Sequence, residues 1–180
     1  MPRILCLAGS LRAASSSRAV VATIRERLEG RAETAGFDVG SLPHYNADLD
    51  PPPGAVVGLK DAIAAADGLV IVTPEYNYSV PGVLKNAIDW ASRPGYASVL
   101  KDKPVFVASV SGGALGGVRA QAHLKNVLGG VLARTFVWQE VAITHANTKV
   151  KAGRLDDEPT ETFLMAALDA FLAALGGGKD

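Results

Sequence analysis

Three short apolar runs, each ended by turn-forming residues, constrain the fold of this chain more than any other feature. They lie at residues 4–8, 69–73 and 104–110 and consist almost entirely of apolar side chains. Strands that are exposed on one face alternate apolar and polar residues, whereas strands covered on both faces are apolar throughout. The runs therefore predict a parallel sheet with helices on both faces. Weaker strand candidates lie at residues 135–143 and 37–42.

Amphipathic helical patterns separate these strands. They are predicted at residues 15–35, 54–66, 81–92, 117–128 and 160–175. Alternation of strands and helices gives right-handed crossovers and a doubly wound sheet. Five strands favour the order 2-1-3-4-5 of a flavodoxin-like α/β domain, which binds ligands beyond the carboxyl ends of strands one and three. No linker interrupts the pattern, so residues 1–180 are expected to form a single domain with a frayed glycine tail at 176–178.

The charge balance limits the possible binding partners, and the cysteine content indicates the cellular compartment. The 18 basic and 18 acidic residues balance, which gives no electrostatic reason to expect nucleic acid or an anionic membrane as a partner. The single cysteine, Cys6, lies inside the first strand, where it is interpreted as a small buried hydrophobe, and it fits a reducing compartment. Neither a signal peptide nor a membrane-spanning run is recognisable. A cytoplasmic protein is therefore expected.

The loop after the first strand, residues 9–18, is rich in hydroxyl groups. Ser10, Ser15 and Ser17, together with the amides at the start of a helix, would make a cradle for a phosphate dianion. Arg12 adds a bidentate cationic donor. The loop lacks the Gly-Lys-Ser/Thr and GxGxxG patterns, so it suits a monophosphate such as flavin mononucleotide (FMN) better than a pyrophosphate. The alternative is a serine-rich helix cap beside a solvated arginine.

Two more unusual loops follow the third and fourth strands. Residues 73–82 supply backbone amides with Asn and Tyr side chains, which suit a flat heteroaromatic ligand with a polar edge. The alternative is a proline-rich turn whose tyrosines pack on their neighbours. Residues 109–117 hold four glycines in six positions, which permit positive φ and a close approach of the backbone to a ligand, or form a flexible loop. All three loops fall at the ligand-binding edge of the predicted sheet.

Three long segments carry a resemblance to known proteins: GSLRAASSSR, TPEYNYSVPGVLKNAIDWASR and SVSGGALGGVRAQAHLKNVL. They resemble the signature segments of the NADPH-dependent FMN reductase family, and LPHYNADLD resembles its second-strand loop. The resemblance runs from about residue 3 to about residue 130. That family includes quinone, chromate and azo-dye reductases with a flavodoxin-like fold.

The resemblance implies a cofactor site built from all three loops. The first loop would hold the FMN phosphate, the second would line the isoalloxazine and ribityl groups, and the third would face the ring from the other side. The implied residues are Ser10, Arg12, Ser15, Ser16, Ser17, Pro74, Glu75, Tyr76, Asn77, Ser111, Gly112 and Gly113. The family often has an aromatic residue where this chain has Ser16, and asparagine where it has Ser17. Because the flavin carries the chemistry, neither a catalytic side chain nor a metal site is expected.

The expected activity is FMN-dependent NAD(P)H oxidoreduction. Hydride would pass from NADPH or NADH to the flavin, and electrons would then leave to a quinone, flavin or similar small-molecule acceptor. A non-enzymatic flavodoxin-type electron carrier and an FMN-binding module without turnover remain as alternatives. A homodimer or homotetramer is expected through helices 81–92 and 117–128, with Trp90 left uncovered by its own chain. The choice between NADPH and NADH and the roles of Arg18 and Arg119 stay open.

Overall fold

A parallel sheet with the predicted strand order organises the chain. The computed structural model describes residues 1–177, so Gly178 of the predicted glycine tail and the two residues after it lie outside the described residues. The strands of the sheet are β1 (Arg3–Ala8), β2 (Glu33–Gly36), β3 (Gly68–Pro74), β4 (Pro104–Val110), β5 (Arg134–Thr135) and β6 (Val141–Ile143). They pair in parallel in the order β2-β1-β3-β4-β5, and β6 also pairs with β4. The doubly wound 2-1-3-4-5 topology is confirmed.

Helices cover both faces of this sheet. They are α1 (Ser16–Arg27), α2 (Gly54–Ala65), α3 (Gly82–Ala91), α4 (Val118–Gly130), α5 (Ala146–Lys149) and α6 (Glu158–Gly176). One apolar cluster joins α2, α3 and α4 to the sheet, and a second joins α1 and α6 to its opposite face. Within residues 1–177, no helix combines the length and the apolar character that crossing a membrane requires.

The continuous apolar strands are explained by this two-sided burial. Successive residues of β3 point to opposite faces, so Leu69 and Ile71 enter one apolar cluster while Val70 and Val72 enter the other. All four side chains are essentially inaccessible to solvent. Cys6 lies in the second cluster, which confirms its interpretation as a buried hydrophobe. Burial raises the pKa of its thiol to about 12, outweighing the opposite effect of the Arg25 charge.

The region between the first helix and the second strand differs from its prediction. The predicted helix 15–35 ends at Arg27, and β2 occupies part of its expected length. The stop signal is Gly30, whose φ of 73° is left-handed, rather than Gly36. The residues predicted as a strand at 37–42 instead contain a short 3₁₀ turn, Val39–Ser41.

The last third of the chain also departs from its prediction. The predicted strand 135–143 is two short strands, β5 and β6, which both pair with β4. An unpredicted antiparallel hairpin follows, formed by β7 (Val150–Lys151) and β8 (Arg154–Leu155). It is held by a tertiary contact, because the backbone N–H of Leu155 donates to the buried Thr23 hydroxyl of α1 at 2.9 Å.

Trp90 is covered by its own chain, contrary to the prediction. Its side chain is 4% exposed and meets Tyr45 edge-on, with 4.9 Å between the ring centroids. The indole Nε1 donates to the carbonyl of Pro43 at 2.8 Å. Because the loop before α2 supplies these contacts, Trp90 offers no uncovered apolar surface to a second subunit.

Candidate functional site

The three loops singled out in the sequence meet at one edge of the sheet. They follow β1, β3 and β4, which are neighbouring parallel strands, so their carboxyl ends lie side by side. The first two loops are in direct contact, since the hydroxyls of Ser10 and Tyr76 form a 3.1 Å hydrogen bond. Gly9 makes this contact possible, because a Cβ there would lie 3.1 Å from Cδ of Pro74. The structure therefore brings the predicted site residues together.

The first loop ends in a well-formed helix cap. Ser15 is the N-cap of α1, and its Oγ accepts a hydrogen bond from the Ser17 N–H at 3.2 Å. The hydroxyls of the two serines are 2.8 Å apart, and Ser17 is fully buried behind them. The helix-cap alternative is thus present in the structure. It assigns the Ser17 hydroxyl to Ser15, so a direct contact of Ser17 with phosphate stays a prediction.

The same loop keeps the donors that a phosphate requires. The backbone N–H groups of Ala13, Ala14 and Ser16 donate to no backbone carbonyl within residues 1–177. Ser16 is the first residue of the 12-residue helix α1, and Ala13 and Ala14 directly precede its N-cap, so all three lie near the helix end where the dipole favours an anion. The exposed Arg12 guanidinium also has no ion-pair partner in the described part of the chain. This donor set fits the phosphate of FMN.

Arg18 contacts the first loop from α1 and links it to another part of the chain. Its Nε donates to the Ser10 carbonyl at 3.1 Å, and its terminal nitrogen lies 3.5 Å from the Asp38 carboxylate. The side chain therefore ties the first loop to the turn that follows β2. This contact is one part of the role that the sequence left open for Arg18.

The second loop contains a tight hairpin turn with exposed side chains. Tyr76 and Ser79 exchange both backbone hydrogen bonds, at 3.1 and 3.0 Å. Asn77 and Tyr78 between them have left-handed φ values of 49° and 66°, which is uncommon for residues other than glycine. Tyr76 and Tyr78 are 48% and 66% exposed, so their rings are accessible to a ligand. Contacts with α4 hold the turn: the Ser79 hydroxyl lies 3.0 Å from Nδ1 of His123.

Glu75 connects the second loop to the start of α4. Its carboxylate accepts hydrogen bonds from the backbone N–H groups of Arg119 and Ala120 at 3.1 and 3.3 Å. It also accepts one from the Arg119 guanidinium at 2.9 Å. Burial raises the pKa of the Glu75 carboxyl, but the hydrogen bonds and charge of this helix end outweigh burial and hold the pKa below its ordinary value. The carboxylate therefore binds α4, so the cofactor contact of Glu75, which stays a prediction, would have to be made by its backbone.

The third loop is exposed at its first two glycines and has left-handed backbone at its last two. Gly112 and Gly113 are solvent-exposed and do not have positive φ. Left-handed φ values of 60° and 82° occur instead at Gly116 and Gly117, where the chain turns into α4. A Cβ at Gly116 would lie 2.8 Å from the Ala142 carbonyl carbon, whereas at Gly113 the nearest atom would be 3.7 Å away. The Cβ position of Gly113 is therefore open, whereas that of Gly112 is filled by the Asn147 side chain, whose Nδ2 would be 2.8 Å away.

A fourth segment, missed by sequence reasoning, supports this loop. It follows the carboxyl end of β6, where the N–H of His145 donates to the Gly113 carbonyl at 3.1 Å. The N–H of Ala146 donates to the Ser111 carbonyl at 3.0 Å, and the Asn147 side chain packs against Gly112. The polar residues directly after β6 were the available signal. Because residues 135–143 were predicted as one strand, these residues were not identified as a fourth loop at the same edge of the sheet.

Other parts of the molecule are less suited to a ligand. A wide cleft between α1 and α6 is lined by charged residues, but Arg27 pairs with Glu161 and Arg31 with Asp169. Its cations are thus already neutralised. Within residues 1–177, no cluster of three or more His, Cys, Asp or Glu side chains could hold a metal ion.

Known proteins that are similar to this chain over almost its whole length are reductases with related names. Residues 2–148 match the sequence pattern of the family described as NADPH-dependent FMN reductase. The chain is 38% identical to a 2-hydroxy-1,4-benzoquinone reductase of a Burkholderia species, a match that covers 95% of this chain and 94% of the relative. It is 38% identical to a quinone reductase of Escherichia coli K12, with 94% and 93% covered. An NAD(P)H-dependent FMN reductase of Pseudomonas aeruginosa is 37% identical, with 93% and 92% covered.

Solved structures share the same fold. The flavoenzyme NAD(P)H:(acceptor) oxidoreductase FerB of Paracoccus denitrificans superposes with a TM-score of 0.89 at 39% identity, over 98% of each chain. An NADH:FMN oxidoreductase in its apo form gives a TM-score of 0.77 over 99% of this chain and 92% of the other. At 22% identity, that second likeness bears on the fold alone.

Proposed function

Because this chain belongs to the NADPH-dependent FMN reductase family and is an FMN-dependent NAD(P)H oxidoreductase, we propose that the three loops at its sheet edge hold the FMN. The observation that carries this proposal is the set of amides at Ala13, Ala14 and Ser16 beside the Arg12 guanidinium, none of which has a partner among residues 1–177. These donors are the ligands that a phosphate monoester needs. Ser10, Ser15 and Ser17 complete the cradle as hydroxyl donors or as the residues that shape it.

The ring of FMN belongs between the second and third loops. Pro74, Glu75, Tyr76 and Asn77 line one side with backbone groups and exposed side chains, while Ser111, Gly112 and Gly113 line the other. Gly113 leaves room for a nicotinamide or a flat acceptor to reach the ring, because it has no side chain and the nearest atom to a Cβ there would be 3.7 Å away. When bound, FMN supplies the redox chemistry, which is acceptance of hydride from the nicotinamide and delivery of electrons to a second substrate.

The protein residues act by binding and orientation in this scheme. The Gly112 N–H, which has no acceptor within residues 1–177, would stabilise negative charge on a reduced ring, since the N–H groups of Ser111 and Gly113 already donate to the Ile143 carbonyl and the Ser111 hydroxyl. Ser111 keeps the loop in place, since its hydroxyl accepts from the Gly113 N–H at 3.1 Å. No acidic or basic side chain has to move a proton at the reacting atoms.

A quinone is the acceptor class that we propose. The support is that the Burkholderia and Escherichia coli relatives are named for quinone reduction and match this chain over more than nine-tenths of its length. The exposed side chains of Tyr76 and Tyr78 suit a flat, aromatic-sized second substrate. An electron carrier without turnover is not favoured by these relatives.

Assembly and location complete the proposal. The proposal of a homodimer or homotetramer through α3 and α4 now rests on the family resemblance alone. Trp90 no longer supports it, because its own chain covers the side chain. A cytoplasmic location rests on the single buried cysteine, and one domain over residues 1–180 rests on the uninterrupted helix and strand pattern. Sedimentation showing only monomer at micromolar concentration would contradict the assembly.

The test is a spectrum followed by two titrations. The purified protein should be yellow, or become so with added FMN, and should release one FMN per chain on denaturation. It should bind FMN more tightly than riboflavin, which lacks the phosphate. Oxidation of NADPH should then depend on added quinone, which distinguishes the enzyme from a carrier or a binding module. Equal affinity for FMN and riboflavin would remove the phosphate assignment of the first loop.

A further inference from the structure

Two charged residues join the second loop to the start of α4, directly after the third loop. Glu75 is the only charged residue of residues 73–82, and Arg119 is the only one of residues 109–120. They form an ion pair of 2.9 Å, in which the Glu75 side chain is 13% exposed and the Arg119 side chain 41% exposed. The Arg119 guanidinium also lies over the Tyr78 ring, 4.2 Å from its centroid. The Arg119 guanidinium is thus held between the Glu75 carboxylate and the Tyr78 ring.

The Glu75 carboxylate offsets more positive charge than the guanidinium alone. It caps the N-terminus of the 13-residue helix α4, where the backbone contributes a partial positive charge. Without the carboxylate, the guanidinium and the helix end would both present positive charge to a ligand between the loops. Without the guanidinium, the carboxylate would be offset only by the partial positive charge of the helix end and would present a net negative charge.

We propose that Glu75 and Arg119 are positioning residues whose paired charges set the reduction potential of the bound flavin, an inference that rests on the proposed flavin site. A reduced flavin ring carries more negative charge than an oxidised one, so nearby positive charge favours the reduced form and nearby negative charge the oxidised form. The pair keeps this environment close to neutral. It thereby limits how far the protein stabilises the reduced cofactor before electrons leave to the acceptor.

The distinguishing test is a pair of substitutions that remove opposite charges. Glu75→Gln keeps the size of the side chain and should raise the midpoint potential of the bound FMN. Arg119→Met keeps most of the side-chain length and should lower it. Each change should alter the ratio of affinities for reduced and oxidised FMN by roughly three- to tenfold, in opposite directions, as expected for charges at such range in a partly solvated site. A purely structural role would weaken FMN binding without giving opposite signs.

Rescue and control variants complete the design. Glu75→Asp restores the negative charge and should return the potential towards that of the wild type. Arg31→Met and Asp169→Asn remove the same charges from the ion pair between the end of α1 and α6, and should leave the potential unchanged. If Glu75→Gln does not fold, the test is the comparison of the other two variants: Arg119→Met should lower the midpoint potential and Arg31→Met should leave it unchanged.

The readout is the midpoint potential of the bound flavin, measured anaerobically against a reference dye, with FMN affinity and urea unfolding measured in parallel. Shifts of the same sign in Glu75→Gln and Arg119→Met, or no shift in either, would overturn the inference while wild-type flavin reduction by NADPH still supports the proposed function. Failure of the wild type to bind FMN would overturn both.

Discussion

The hydroxyl groups of Ser10 and Tyr76 lie 3.1 Å apart, so the loop after β1 and the loop after β3 are joined across the edge of the sheet. Ser10 is 2% exposed and its Oγ also accepts from the Arg12 N–H at 3.3 Å. One buried serine therefore connects the proposed phosphate cradle to the proposed ring site. The relative position of the two halves of the site depends on this contact.

Tyr76→Phe should loosen that connection. Loss of one hydrogen bond is expected to cost about 0.5–1.5 kcal/mol of folding free energy. FMN affinity should fall several-fold, because the two loops are no longer held in register. Urea unfolding and quenching of FMN fluorescence measure the two effects. Tyr78→Phe is the matched control, since the Tyr78 hydroxyl has no hydrogen-bond partner within residues 1–177, and equal effects of both variants would contradict the assignment.

Arg12→Ala should weaken FMN binding selectively. A charge-assisted hydrogen bond to phosphate is worth about 1.5–3 kcal/mol, which corresponds to a roughly ten- to hundredfold loss of FMN affinity. Riboflavin affinity should barely change, because riboflavin has no phosphate, and turnover at saturating FMN should survive. Calorimetry with both ligands checks this, with Arg31→Ala, in the turn after the C-terminal end of α1, as the control. A parallel loss of riboflavin affinity would show that Arg12 shapes the loop instead.

The sheet could be predicted from the sequence because its strands are buried on both faces. Continuous apolar runs placed β1, β3 and β4, and the loops after them then had to meet at one edge. β2 could not be placed in the same way, since its four residues, Glu33–Gly36, are mostly exposed at the edge of the sheet. The hairpin after α5 was missed because the Thr23–Leu155 hydrogen bond joins residues 132 positions apart.

The composition of the candidate site was visible in the sequence, but the direction of its side chains was not. Glu75 lies in the second loop, as its position after β3 requires. Its carboxylate finds a partner 44 residues away in Arg119, and no local pattern reveals that contact. The same holds for Ser17, whose small polar side chain suits a phosphate ligand equally well as a buried partner of Ser15.

The stability contribution of Glu75 should depend on pH. Its pKa in the folded chain lies below the ordinary value of 4.5, so its contribution is complete above that value and is lost as the pH falls through the lower, folded-state pKa. Glu75→Gln should therefore cost about 1.5–3 kcal/mol at neutral pH and much less in strong acid. Urea unfolding of both proteins across this pH range measures the difference. Glu26→Gln, which removes an exposed partner of Arg154, should cost little at any pH.

Substitution by valine should have different effects at two glycines of the third loop: it should lower stability at Gly116 and slow reduction of the flavin at Gly113. Gly116→Val places a β-branched side chain at a φ of 60°, with its Cβ 2.8 Å from the Ala142 carbonyl carbon, and should lower stability by more than about 2 kcal/mol. Gly113→Val meets nothing closer than 3.7 Å, so the fold and the phosphate cradle should remain intact. Its side chain would instead stand in the opening that we propose for the approach of a nicotinamide to the flavin ring.

Reduction of the bound flavin by NADPH should therefore slow by at least about tenfold in Gly113→Val, while FMN affinity changes much less, because contacts with the phosphate loop are untouched. Stopped-flow absorbance gives the reduction rate, and urea unfolding confirms that the variant is as stable as the wild type. Gly129→Val in α4, where a Cβ would also meet open space, is the control for the added bulk. An unchanged reduction rate in Gly113→Val would place the nicotinamide elsewhere and remove the third loop from the wall of the active site.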